Sequence, residues 1–126
     1  MVVLDTSALI YWTLVPGTLS EQATTAFAAA EAVVISSISI WEIGLKVKRG
    51  KLELPLTPAE FVVKLEATDR VRIEPVTSAI WLRSVDLEWE HKDPADRTIV
   101  ATASLLHCPL VTADLEIQAF YPAALW

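Results

Sequence analysis

Short apolar runs that stop at a hydroxyl or a carboxylate, separated by longer stretches of helical periodicity, are what most constrains the fold of this chain. Val2 to Leu4 ends in Asp5, and Val33-Val34-Ile35 stops at Ser36-Ser37. Val71, Ile73 and Val76 alternate with polar residues and end near Thr77-Ser78, while Leu110-Val111-Thr112 precedes Asp114. Runs this short and this rich in β-branched residues suit strands, and the segments between them are long enough for crossover helices.

The helical segments follow from spacing and punctuation. After the cap candidates Asp5-Thr6-Ser7, Ala8 to Leu14 is predicted helical, Pro16-Gly17 a turn, and Ser20 to Ala32 a second helix. Ser39 precedes Glu42 by three residues, the capping-box spacing, and the periodicity continues to Lys48 before Gly50 stops it. Leu52 to Pro58 reads as a connector, then Pro58 to Thr68 and Ala79 to Trp89 as helices. Asp93-Pro94 is a strong helix start, with Asp93 as the cap and the helix running to about Leu106. Asp114 to Ile117 forms a short helical turn, and Phe120 to Trp126 is a terminal segment able to add an edge strand. The order strand, helix, strand, helix, helix, strand, helix, helix, strand is that of a parallel α/β sheet with right-handed crossovers. No repeat, linker or low-complexity tract interrupts it, so residues 1–126 are expected to form one domain.

Composition narrows the class. Hydrophobic residues make up 53% of the chain and charged ones 21%, too apolar a balance for a disordered polypeptide. No apolar stretch approaches the ~20 residues needed to cross a bilayer, and Ile99 to Val111 is interrupted by His107 and Pro109. No Lys or Arg precedes Asp5, which argues against a signal peptide, and the single Cys108 reads as a small buried hydrophobe. A cytoplasmic protein without a membrane segment is expected. Ten basic against sixteen acidic residues give a net charge of −6, the wrong sign for holding nucleic acid by phosphate neutralisation alone.

Clustered acids that hold cations would reverse that conclusion. Ligands of an open parallel sheet bind beyond the carboxyl ends of its strands, and four carboxylates map to that edge: Asp5, Glu42, Asp96 and Asp114. Each also suits a helix N-terminus, where a carboxylate gains about 0.3–1 kcal/mol, and Glu42 fits a capping box with Ser39. If the four converge, their mutual repulsion calls for cations, and a donor set of carboxylates selects hard ions such as Mg²⁺ or Mn²⁺. Two such ions about 3.5–4 Å apart suit phosphodiester hydrolysis.

The segments VVLDTSALIYW, SSISIWEIGLKVKRGKL, DPADRTIVATA and PLVTAD, in this order and spacing, resemble those of PIN-domain proteins, most closely the VapC toxins of toxin–antitoxin pairs. The resemblance spans nearly the whole chain. It implies a three-layer α/β/α fold around a mostly parallel sheet of four or five strands, and a metal-dependent endoribonuclease. The family acids match Asp5, Glu42, Asp96 and Asp114, with Asp5 expected as the central metal ligand, and the family hydroxyl matches Thr112. It also implies an RNA substrate, a homodimer, and an antitoxin whose tail lies across the groove. His107-Cys108-Pro109 stands where many relatives place a Gly after the helix.

Other residues leave two readings each. Lys46, Lys48, Arg49 and Lys51 suit a helix C-terminus or an RNA backbone contact. Arg97 suits a salt bridge or a phosphate. Trp41, Trp81 and Trp89 have spacings suited to core packing, whereas Trp12 and Trp126 could form an exposed partner patch. His91 and His107 read as loop and packing residues, because neither has ligand spacing with another His or Cys. A phosphatase of the haloacid dehalogenase type also opens on a strand-terminal Asp, but its second Asp would stand where this chain has Ser7. A non-catalytic module whose acids only cap helices is the remaining alternative.

Overall fold

The computed structural model describes residues 1–126. Five strands, β1 (Val2–Leu4), β2 (Val33–Ser36), β3 (Val71–Glu74), β4 (Leu110–Val111) and β5 (Ala124–Leu125), form one sheet in the order β3-β2-β1-β4-β5. Every neighbouring pair is parallel, with Leu4 beside Ile35 on one side and Val111 on the other. Seven helices connect or flank them: α1 (Thr6–Leu14), α2 (Glu21–Ala29), α3 (Ser37–Lys48), α4 (Pro58–Ala67), α5 (Ser78–Asp86), α6 (Pro94–Leu106) and α7 (Leu115–Phe120). A single 3-10 turn at Pro16–Thr18 occupies the expected turn.

The period of two in the strands builds two cores from one sheet. Val2, Leu4, Val33, Ile35 and Val111 face a layer containing Leu9, Phe27, Ile43, Phe61 and Leu65, contributed by α1 to α4. Val3, Val34 and Leu110 face the opposite way, onto Ile99, Val100 and Ala103 of α6 and Ile117 of α7. Removing both strand faces from water drives assembly at roughly 25 cal/mol per Å² of apolar surface. The result is the three-layer α/β/α arrangement, with the terminal segment adding β5 as an edge strand.

Helix starts follow local chemistry in most places. Ser20, Thr57, Thr77, Asp93 and Asp114 cap their helices through the side chain, and Thr57 with Glu60 forms a complete capping box. Two expectations shift. The cap of α3 is Ser36, not Ser39, because β2 runs directly into the helix and its last hydroxyl reaches the Ile38 amide. Helix α5 stops at Asp86, and residues through Trp89 form a loop held by Arg97. His107 closes α6 in the left-handed conformation, φ 53° and ψ 46°, filling the position where a Gly is easiest.

Trp89 packs as its spacing suggests, stacked on Phe120, but the other four tryptophans are placed differently from expectation. Trp41 is 62% exposed and Trp81 48%, whereas Trp12 stacks on Phe27 at 5.3 Å and Trp126 packs against Tyr11. Helical periodicity reports which residues share a face, not whether that face is covered.

Candidate active site

The chain leaves β1 to build β2 and β3 on one side, then returns to place β4 on the other. The carboxyl ends of β1 and β4 therefore diverge into the crevice where parallel sheets take ligands. Asp5 leaves β1 at that point and is only 5% exposed. One carboxylate oxygen accepts the Ala8 amide at 2.8 Å, capping α1, and the other accepts the Thr112 hydroxyl. Thr112 in turn accepts the Asp114 amide at 3.0 Å, so one hydroxyl ties the two strand ends together. Burial pushes the Asp5 carboxyl up to about 6 against the pull of these hydrogen bonds, and the charges of Asp96 and Asp114 push the same way.

Asp114 caps α7 through the Glu116 amide at 2.8 Å, as its position after β4 suggests. Asp96 and Glu42 are not caps. Asp96 lies in the first turn of α6, but Asp93 performs the capping, with its carboxylate on the Ala95 amide at 2.9 Å. Glu42 lies in the second turn of α3, too far from the helix start for a capping box, and accepts the hydroxyl of Thr6. Thr6 also meets Ser39 at 2.9 Å, so Ser39 serves this α1–α3 contact. Burial raises the pKa of both Glu42 and Asp96; repulsion from Asp93 adds to both, from Asp96 to Glu42 and from Asp114 to Asp96.

His91 is the residue that sequence spacing missed. Its Nε2 lies 2.7 Å from Asp96 Oδ2 and its Nδ1 2.5 Å from Glu116 Oε2. The hydrogen bond to Asp96 raises the His91 pKa, and the surrounding carboxylates reinforce it. His91, Asp93 and Asp96 are the one set of three His or acidic side chains whose possible ligand atoms all lie within 4.8 Å of one another, and of the four predicted acids it includes only Asp96. The only available signal was the closeness of His91 to Asp93 and Asp96 in the chain, and a loop does not fix where such a ring points.

Arg97 makes no salt bridge. Its guanidinium donates to the carbonyls of Ser84, Leu87, Trp89 and His91 at 2.6–3.0 Å, which commits all three of its nitrogens to the backbone. Among basic side chains, Lys46 is the one whose charge offsets the raised pKa of Glu42. Lys46, Arg49 and Lys51 line a groove of about 180 Å³ together with Trp41, Glu42 and Leu45, while Lys48 lies outside it. A second groove of about 520 Å³ joins Trp41 and Trp81 to Glu42 and Asp93.

Asp5, Glu42 and Asp96 offer carboxylate oxygens whose pKa values are raised by burial and repulsion, with no guanidinium among them, and such oxygens are the donors a hard divalent cation takes. Binding a cation there would relieve that unfavourable charge, and oxygen donors favour Mg²⁺ or Mn²⁺. No helix is long and apolar enough to cross a membrane.

Comparison with known proteins accords with this architecture. The PIN domain family model matches residues 2–121. Ribonuclease VapC22 from Mycobacterium tuberculosis is 27% identical over 129 residues, covering 99% of this chain and 98% of that protein. Among solved structures, a toxin–antitoxin complex from Klebsiella pneumoniae is similar with a TM-score of 0.70 and 24% identity, covering 100% of this chain and 97% of that one. FitAcB from Neisseria gonorrhoeae gives a TM-score of 0.66 at 22% identity, covering 98% and 95%.

Proposed function

This chain belongs to the PIN domain family, and from that premise we propose that it is a divalent-metal-dependent endoribonuclease acting as the toxin of a toxin–antitoxin pair. The observation that carries the proposal is the buried Asp5 at the divergence of β1 and β4, held by Thr112 and facing the charges of Asp96 and Asp114. A carboxylate serving only as a helix cap has no need of burial beside two others. Similarity to a named ribonuclease and to the toxin–antitoxin complex supports the RNA substrate and the antitoxin partner.

Asp5, Asp96 and Asp114 are the residues that would hold Mg²⁺ or Mn²⁺, with Glu42 at the edge of the same field. The bound cation supplies Lewis-acid stabilisation of charge on phosphate oxygens and lowers the pKa of water. Thr112 fixes the Asp5 carboxylate so that it need not reorganise during the reaction. Glu42, held through Oε1 by Thr6, leaves Oε2 to orient the attacking water or to hold a cation. Lys46, Arg49 and Lys51 offer an RNA backbone its counter-charges beside Glu42, which reconciles a net charge of −6 with an anionic substrate. Lys48, on the same turn, adds to the local positive field. Attack in line at phosphorus leaves 5′-phosphate and 3′-hydroxyl ends. The exposed Trp41, Trp81, Leu82 and Val85 support a surface covered by protein, either a second copy or the antitoxin.

Cleavage of total RNA by purified protein freed of any partner, with Mn²⁺ or with chelator, tests the proposal. Cleavage is expected only with metal, and Asp5→Asn and Asp96→Asn are expected to abolish it without unfolding the protein. Undiminished cleavage by both variants would refute the site. Absence of both metal binding and cleavage in the wild type would favour a non-catalytic binding module.

A further inference from the structure

We propose that His91 is a positioning residue for the Asp96 carboxylate, an inference that rests on the metal-dependent nuclease reading above. The single hydrogen bond that the Asp96 carboxylate makes within the protein is to His91, Oδ2 lying 2.7 Å from Nε2, which leaves Oδ1 uncommitted. A carboxylate in the first turn of a helix otherwise samples several rotamers, so this bond selects one of them.

The ring is itself held from several sides. Its opposite nitrogen meets Glu116 Oε2 at 2.5 Å, which fixes rotation about the Cβ–Cγ bond and links the start of α6 to the start of α7. One face stacks on Trp89 with centroids 4.6 Å apart, and Trp89 stacks on Phe120 of α7 at 4.7 Å. The backbone is held as well, since Arg97 donates to the His91 carbonyl at 3.0 Å. A loop residue anchored through both ring nitrogens, a ring face and its carbonyl is 19% exposed at the side chain, next to the carboxylates. Such an arrangement presets a ligand oxygen, and loss of a partner that orients a metal-binding side chain typically costs about 10–100-fold in metal affinity or activity.

Two substitutions separate this role from simple packing. His91→Phe keeps a ring to stack on Trp89 but has no nitrogen for Asp96, whereas His91→Gln loses the stack and retains an amide donor. Mn²⁺ would be titrated into wild type and both variants by calorimetry, with melting temperatures and RNA cleavage kinetics measured in parallel. His91→Phe is expected to fold normally, to bind Mn²⁺ about 10-fold or more weakly, and to lose kcat at nearly constant KM. His91→Gln is expected to retain affinity and kcat within about threefold of wild type, as orientation of the carboxylate requires. Wild-type Mn²⁺ affinity and kcat in His91→Phe, or equal losses in the two variants, would overturn the proposal. If the wild type binds Mn²⁺ but cuts no RNA, the nuclease reading fails while the affinity comparison still decides the role of His91. If the wild type binds no Mn²⁺, both fail.

Discussion

Asp5 shows how a residue chosen by a local rule acquires a second role. Its position after β1 makes it a cap for α1, yet burial and neighbouring acids raise its pKa to about 6. A carboxyl whose folded pKa exceeds its unfolded value stabilises the fold fully below about pH 4, and that contribution disappears as pH rises through about 6. At pH 7.5 without metal that contribution, on the order of 2–3 kcal/mol, is absent. Asp5→Asn removes the charge, so the metal-free variant is expected to melt roughly 3–10 °C above wild type at pH 7.5, with the gap closing near pH 4. Millimolar Mn²⁺ should restore the order by stabilising only the wild type, through binding to the native state. Melting curves at the two pH values, with and without metal, check this. A metal-free variant that melts below wild type at pH 7.5 would show that hydrogen bonding outweighs charge at this position.

At the scale of elements, the connection between α5 and α6 is built around Arg97. Five hydrogen bonds from one guanidinium fix the carbonyls of Ser84, Leu87, Trp89 and His91, and so hold in place the loop that carries His91. Lysine carries the charge without the planar fork, so Arg97→Lys should leave several of these carbonyls unpaired. A loss of about 2–4 kcal/mol in urea unfolding is expected, with no rescue by the retained charge. The last turn of α3 plays a different part, placing Lys46 and Arg49 in the groove beside Glu42. In Lys46→Glu/Arg49→Glu, RNA binding should weaken and the slope of log affinity against log salt should flatten by about 1–2, with unchanged melting temperature. Binding isotherms at several salt concentrations measure both effects. An unaltered slope would assign these residues to the helix end alone.

For the whole molecule, the largest departure from spacing is the surface carrying Trp41, Trp81, Leu82 and Val85. Three of these lie on α5, which packs mainly on α6 and has no further layer over it. If the patch joins two copies, Leu82→Glu should convert a dimer into a monomer by light scattering at micromolar concentration, without lowering the melting temperature by more than about 3 °C. A wild type that is already monomeric would leave the antitoxin as the occupant of this surface.

The sequence by itself determined the elements and the edge of the sheet at which charge collects. Alternation of short β-branched runs with helical segments, Asp93-Pro94 at the start of α6 and Thr57 with Glu60 at the start of α4 are local signals, because capping and periodicity act over three to seven residues. The carboxyl-terminal placement of Asp5 and Asp114 follows from the same grammar. Tertiary structure decided what such rules do not reach. Asp5 meets Thr112 across 107 residues and Glu42 meets Thr6 across 36, each pairing set by the strand order and by the packing of α1 on α3. His91 turned from a loop residue into a partner of Asp96 because Arg97, Trp89 and Glu116 constrain the loop together. Trp12 and Trp126 became packed while Trp41 and Trp81 stayed exposed, because burial depends on which layer finally lies over each face.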